Sequence, residues 1–196
     1  MEQLSGNSRI GEVIESSTTI FRTQSYKLYD TPPLGSFIQT GSPAIFGVVC
    51  MITTEPLDPT RPIIARGESA SSEEQLYKEH PQLSRLLTSR FEALIVGHAD
   101  RMQIKQHLPS TPPKVHSFVS ACSDEEVINF SNNLDFIHLL LNSGSVATEE
   151  IVLACMNHLI QAQPMRPEFR VRIGRALAKE LSSDIRQLTS ILRSLE

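Results

Sequence analysis

Residues 10–41 read IGEVIESSTTIFRTQSYKLYDTPPLGSFIQTG, and they carry most of what the chain says about its architecture. Ile, Val, Thr, Phe and Tyr alternate with polar residues at about period two, the pattern of short half-buried strands. From residue 20 onward, Ile20, Arg22, Gln24, Tyr26 and Leu28 share one face and Phe21, Thr23, Ser25, Lys27 and Tyr29 the other. Neither face is purely apolar, which suits a small twisted barrel better than a flat sandwich. Pro32 and Pro33 fix φ and remove donors, and Gly35 permits a tight bend, so TPPLGS is a corner. SFIQTG is a third strand. A fourth follows in AIFGVVCMITT (44–54), whose near-continuous apolar run predicts burial on both sides. Gly47 within it predicts a bulge or a close backbone approach.

Residues 55–74, EPLDPTRPIIARGESASSEE, place three prolines within seven residues and then turn Gly- and Ser-rich. That composition marks an excursion from the strands. SSEEQLYKEHPQLSRLL (71–87) predicts a short helix interrupted at Pro81. RFEALIVGHA (90–99) returns to strand, ending near Gly97, and HLPSTPPKVHSFVSA (107–121) supplies a Pro-rich connector and a last short strand. The β part thus covers residues 8–121.

Beyond Cys122 the period becomes 3.6. Ser123 stands three residues before Glu126, the capping-box spacing. Val127, Phe130, Leu134, Ile137 and Leu141 form one apolar stripe, closed by Gly144. Thr148 is placed to cap a second helix that stops at Pro164. After Pro167 a third stripe runs from Phe169 to Leu195. The expected class is α+β: a small N-terminal barrel, residues 8–121, followed by a three-helix unit, residues 123–196.

The segments IGEVIESSTT, PPLGSFIQTG and IFGVVCMITTEP, with FEALIVGH and LPSTPPKVHSFVSACSDEEV further on, resemble the HerA–ATP synthase (HAS) barrel family. This is the small barrel at the N-terminus of HerA-type DNA translocases and of rotary ATP synthase catalytic subunits. These motifs are mostly fold-determining glycines and apolar residues, so the resemblance implies the fold first. In the motor proteins the barrel precedes a phosphate loop, G-x-x-x-x-G-K-S/T, whose amides and lysine hold the triphosphate. Here no Gly-Lys pair occurs, and the residues after the barrel are too few for a P-loop core. The resemblance therefore implies a free-standing barrel, and such barrels line up subunits or dock partner proteins.

Composition narrows the function classes. The chain has 196 residues, is 40% hydrophobic and 20% charged, and is expected to fold with a sizeable core. Its net charge is −4, with 8 Lys/Arg against 12 Asp/Glu in residues 1–100 and 10 of each in residues 101–196. That balance, 6% aromatics and no Trp disfavour nucleic-acid binding, which draws on counterion release and stacking. No run is long and apolar enough to span a bilayer, and MEQLSGNSR lacks the features of a secretory signal. Cys50, Cys122 and Cys155 are far apart within apolar runs and read as reduced thiols, so a cytoplasmic location is expected.

No catalytic constellation stands out, and no cofactor or metal is expected. His98, His107 and His116 recur every nine residues, a spacing unlike that of zinc ligands. The acidic pairs at 73–74, 125–126 and 149–150 open helices, where the dipole accounts for them. Two polar stretches are candidate interaction surfaces. In the proline-stiffened excursion, Asp58, Arg61 and Arg66 could form a preorganised docking loop. On the last helix, Arg170, Arg172 and Arg175 concentrate positive charge. Leu188 and Leu192 lie where that helix is expected to outrun its shorter neighbours, a site for self-association or a partner. The expectation is a non-enzymatic protein-interaction or assembly module. The alternative is an accessory protein of a DNA-processing or ATPase complex that touches nucleic acid through the arginine run.

Overall fold

The computed structural model describes residues 9–101 and 103–195. Residues 1–8, including the expected barrel start at residue 8, lie outside the described residues. The class is α+β. Among the described residues seven strands form one antiparallel sheet: β1 Arg9–Ser16, β2 Ile20–Ser25, β3 Phe37–Thr40, β4 Ile45–Pro56, β5 Leu87–Asp100, β6 Gln103–Lys105 and β7 Phe118–Ala121. Their order is β2-β1-β7-β3-β4-β5-β6, and β2 also pairs with β5. The pairings therefore return on themselves through six strands, with β6 appended to β5. All six strands contribute to one buried cluster that includes Val13, Phe21, Ile38, Val49, Phe91 and Val119.

The alternation expected in β2 holds: Phe21, Thr23 and Ser25 are buried, whereas Ile20, Arg22 and Gln24 are half-buried. The continuous apolar run of β4 has a direct cause. Phe37, Val48 and Leu94 face the helices, while their neighbours Ile38, Val49 and Ile95 belong to the cluster of the strand circuit. The ladder shifts register between Phe46 and Gly47, and a Cβ at Gly47 would stand 2.9 Å from the Phe21 ring. The strand expected to end near Gly97 continues to Asp100, because β6 pairs with it from Lys105 to Gln103.

Beyond residue 50, β4 leaves the core. Met51 to Thr54 are exposed, and β4 pairs with β5 from Met51↔Glu92 out to Pro56↔Leu87. This arm narrows to two strands only at Thr54–Pro56 and Leu87–Ser89, since β2 also pairs with β5 as far as Gln24↔Arg90. The excursion sits at its tip and holds helices α1 Glu73–Glu79 and α2 Leu83–Leu86, separated at Pro81.

The C-terminal part corrects the three-helix expectation. It contains five helical segments: α3 Asp124–Phe130, α4 Ile137–Leu141, α5 Thr148–Ala162, α6 Pro167–Glu180 and α7 Ile185–Ser194. The capping box is present, with the Ser123 side chain accepting from the Glu126 N–H and the Glu126 side chain accepting from the Ser123 N–H. The first stripe is split because Gln106 intervenes. Its Nε2 donates to the carbonyls of Phe130 (2.7 Å) and Asn133 (2.9 Å), and its Oε1 accepts from the Phe136 N–H (3.1 Å). One side chain so replaces several helical bonds across the Ser-Asn-Asn segment, whose residues favour turns. The last stripe is split at Leu181–Asp184, where Asp184 caps a new helix by accepting from the Gln187 N–H at 3.0 Å.

One buried cluster spans both parts of the chain, joining Phe37, Phe46 and Val96 of the sheet to Phe130, Met156 and Ile173 of the helices. Among the described residues no helix is long and apolar enough to cross a membrane.

Candidate functional site

The excursion begins where Leu57 N–H donates to the Leu86 carbonyl at 2.8 Å, pinching the loop shut at the end of the β4–β5 arm. Asp58 then organises a turn. Its Oδ1 accepts from the Thr60 N–H (3.0 Å) and hydroxyl (2.7 Å), and its Oδ2 lies 3.3 Å from Arg61 Nε. The Thr60 hydroxyl, and then its amide, hold the Asp58 carboxyl below the usual carboxylate range. The prolines at 56, 59 and 62 restrict the backbone around this turn, so the part of the loop that carries Arg61 is restricted before any ligand arrives.

Between this segment, α1, α2 and the arm lies a cleft of about 650 Å³. Its lining is mainly apolar, with Leu57, Ile63 and Ile64 from the loop and Leu76, Leu83 and Leu86 from the helices. Ile63 and Ile64 are 59% and 65% exposed. The volume is within the range of pockets that take small ligands or a few side chains. Asp58, Arg61 and Arg66 are the charged residues of the lining. Sequence reasoning thus chose three residues that the structure brings together.

It missed the tyrosines. Tyr29, whose φ is +64°, donates its N–H to Ser89 Oγ at 2.8 Å, and Ser89 in turn lies 3.2 Å from Thr54 Oγ1. The Tyr29 and Tyr77 hydroxyls are 2.6 Å apart, joining α1 to the chain that follows β2. That hydrogen bond, with some burial, raises the Tyr77 phenol above its ordinary pKa. Nothing in the spacing of YKLYD and EEQLY signals that residues 48 apart in sequence would meet.

The C-terminal candidates lie elsewhere, and the described cleft lining includes no residue of α6 or α7. Arg170 Nη1 donates to the Leu195 carbonyl at 2.8 Å, and Arg172 Nη2 to the Asn132 carbonyl at 2.8 Å. Arg172 also stands 5.4 Å over the Phe169 ring. These two guanidiniums fasten helix ends. Arg175 lines a shallow groove of about 220 Å³ with Asp135, Lys179 and Glu180, so its surroundings carry both signs of charge. The premise that Leu188 and Leu192 extend beyond intramolecular cover is corrected. The chain bends at Leu181–Asp184, and both leucines are half-buried against the main core beside the buried Ile191.

The histidines separate. His98 and His107 lie with ring centroids 4.9 Å apart, whereas His116 pairs with Glu12 at 3.0 Å. Among the described residues no group of three or more His, Cys, Asp or Glu is placed to hold a metal ion. The cysteines are unpaired. Burial pushes the Cys50 thiol up to about 11, and raises Cys122 and Cys155 further. Thiols so desolvated are poor nucleophiles at neutral pH.

No known protein-family model matches the chain, and no curated protein matches it as a relative.

Proposed function

We propose that the chain is a non-enzymatic protein-interaction module of the cytoplasm, built on a HerA–ATP synthase-type barrel, with the cleft as its docking site. The cleft is the observation that carries this reading. It is an apolar concavity with exposed isoleucines, on a proline-containing loop at the end of the β4–β5 arm. A loop already ordered loses less entropy when a partner binds. The closed circuit of pairings, and the inner cluster fed by all six of its strands, support treating the sheet as a barrel. The 196 residues contain no phosphate-loop motif, so the proposal gives the barrel a docking role without nucleotide chemistry. The nucleic-acid alternative draws less support: Arg170 and Arg172 each give one donor to a backbone carbonyl, and Arg175 shares its groove with Asp135 and Glu180.

A photo-crosslinking amino acid at Ile63 tests the reading in the native cell. It should trap a discrete protein partner that the same group at Val146, an exposed position on the helical part, does not trap. Identical crosslinks from both positions, or none from Ile63, would overturn it. ATP turnover by the pure protein, abolished by a point substitution in this chain, would also overturn it.

A further inference from the structure

We propose that the cleft takes an extended peptide segment bearing an apolar side chain beside a carboxylate, with Arg66 receiving the carboxylate; this rests on the cleft being a protein-docking site. The charges make the argument. The lining has two cations, Arg61 and Arg66, against one anion, Asp58. Asp58 is used internally through both oxygens, one for Thr60 and one for Arg61. Arg66 has neither an ion-pair nor a hydrogen-bond partner among the described residues, which leaves one positive charge uncompensated beside exposed Ile63 and Ile64. A guanidinium offers a planar fork of donors that matches a carboxylate in two parallel bonds. The neighbouring isoleucines offer apolar area that water covers when the cleft is empty. A basic segment would meet repulsion from Arg66. A neutral one could offer Arg66 only carbonyl or hydroxyl oxygens, weaker acceptors for a guanidinium than a carboxylate. At about 650 Å³ the cleft accommodates a few side chains of an extended segment rather than the whole face of a helix.

Selection of random peptides displayed on their own mRNA against the full chain tests this. Winners are then titrated by fluorescence polarisation on the wild type, Arg66→Glu and Ile64→Asp. Both substitutions fall on exposed positions, and circular dichroism verifies that each variant is folded. Winners should combine large apolar residues with Asp or Glu. They should lose about tenfold or more in affinity with Arg66→Glu, the weight of a charge-assisted hydrogen bond, and also weaken with Ile64→Asp. Winners that weaken with Ile64→Asp but are basic or uncharged, or keep their affinity for Arg66→Glu, would overturn the carboxylate inference while leaving the docking site standing. A selection yielding no peptide sensitive to Ile64→Asp would remove the docking site itself.

Discussion

The hydroxyls of Tyr29 and Tyr77 lie 2.6 Å apart, although the residues stand at opposite ends of the chain segment that contains β3, β4 and the first part of the excursion. Tyr29 is itself held by its N–H to Ser89 on β5, so the contact fastens α1, one wall of the cleft, to the arm. The raised Tyr77 pKa fixes a sign. Its contribution to stability is fully present below the unfolded phenol pKa and is lost as pH rises through the higher folded value. With three tyrosines and no Trp, phenolate absorbance reads the tyrosines alone. Tyr29→Phe is expected to lower the pH at which Tyr77 ionises and to speed amide exchange in α1. A titration curve that merely lacks one ordinary tyrosine would show that the hydroxyls do not meet in solution.

Gly35 and Gly144 separate two costs that a glycine can conceal. Both have positive φ, +81° and +70°. A Cβ at Gly144 would meet nothing within 4 Å, whereas one at Gly35 would stand 2.4 Å from the Ala154 carbonyl carbon of α5. Gly144→Ala should therefore cost only the backbone penalty, about 1 kcal/mol. Gly35→Ala adds a collision with main chain that cannot rotate away, and should cost about 3 kcal/mol or more. Urea denaturation of the two variants measures the difference. Equal midpoints would refute the packing of the Pro-Pro-Leu-Gly corner on α5.

Gln106 holds α3 and α4 apart with three hydrogen bonds, and Gln106→Ala leaves two carbonyls and one N–H without that partner. Its expected cost is about 2–3 kcal/mol. Gln106→Glu keeps the acceptor for Phe136 N–H but cannot donate, so it should not restore stability to the wild-type level. Chemical denaturation followed by circular dichroism decides this; an unchanged midpoint for Gln106→Ala would show that the Ser-Asn-Asn segment breaks the helix unaided.

What the sequence made legible, and what it hid, divides along these contacts. The strand faces of β2, the doubly buried start of β4, the corner at Gly35 and the capping box are local, set by side-chain period, φ and three-residue spacing. The grouping of Asp58, Arg61 and Arg66 was legible for the same reason, since residues so near in sequence on one loop stay together. Gln106 was not, because its partners lie 24 to 30 residues onward and an apolar stripe keeps its period across a break. The meeting of Tyr29 with Tyr77 depends on how the excursion folds back over the arm, which no local pattern encodes.

The final stripe shows how such a break changes a functional expectation. Phe169, Ile173 and Leu177 are buried along α6 and Leu181 at its C-cap, and had the helix run straight on, Leu188 and Leu192 would have projected past their neighbours. Ser182, Ser183 and Asp184 interrupt it instead, and α7 folds so that Ile191 is 2% exposed with Leu188, Leu192 and Leu195 packed on the core. A glutamate at 188 or 192 would then have to desolvate a carboxylate or pull α7 away from α5 and α6. The double variant Leu188→Glu, Leu192→Glu is accordingly expected to lower the melting temperature by several degrees, corresponding to about 2 kcal/mol or more in a domain of this size, with no change of mass in light scattering. A folded variant with an unshifted melt and a smaller particle would instead return these leucines to an interface between chains.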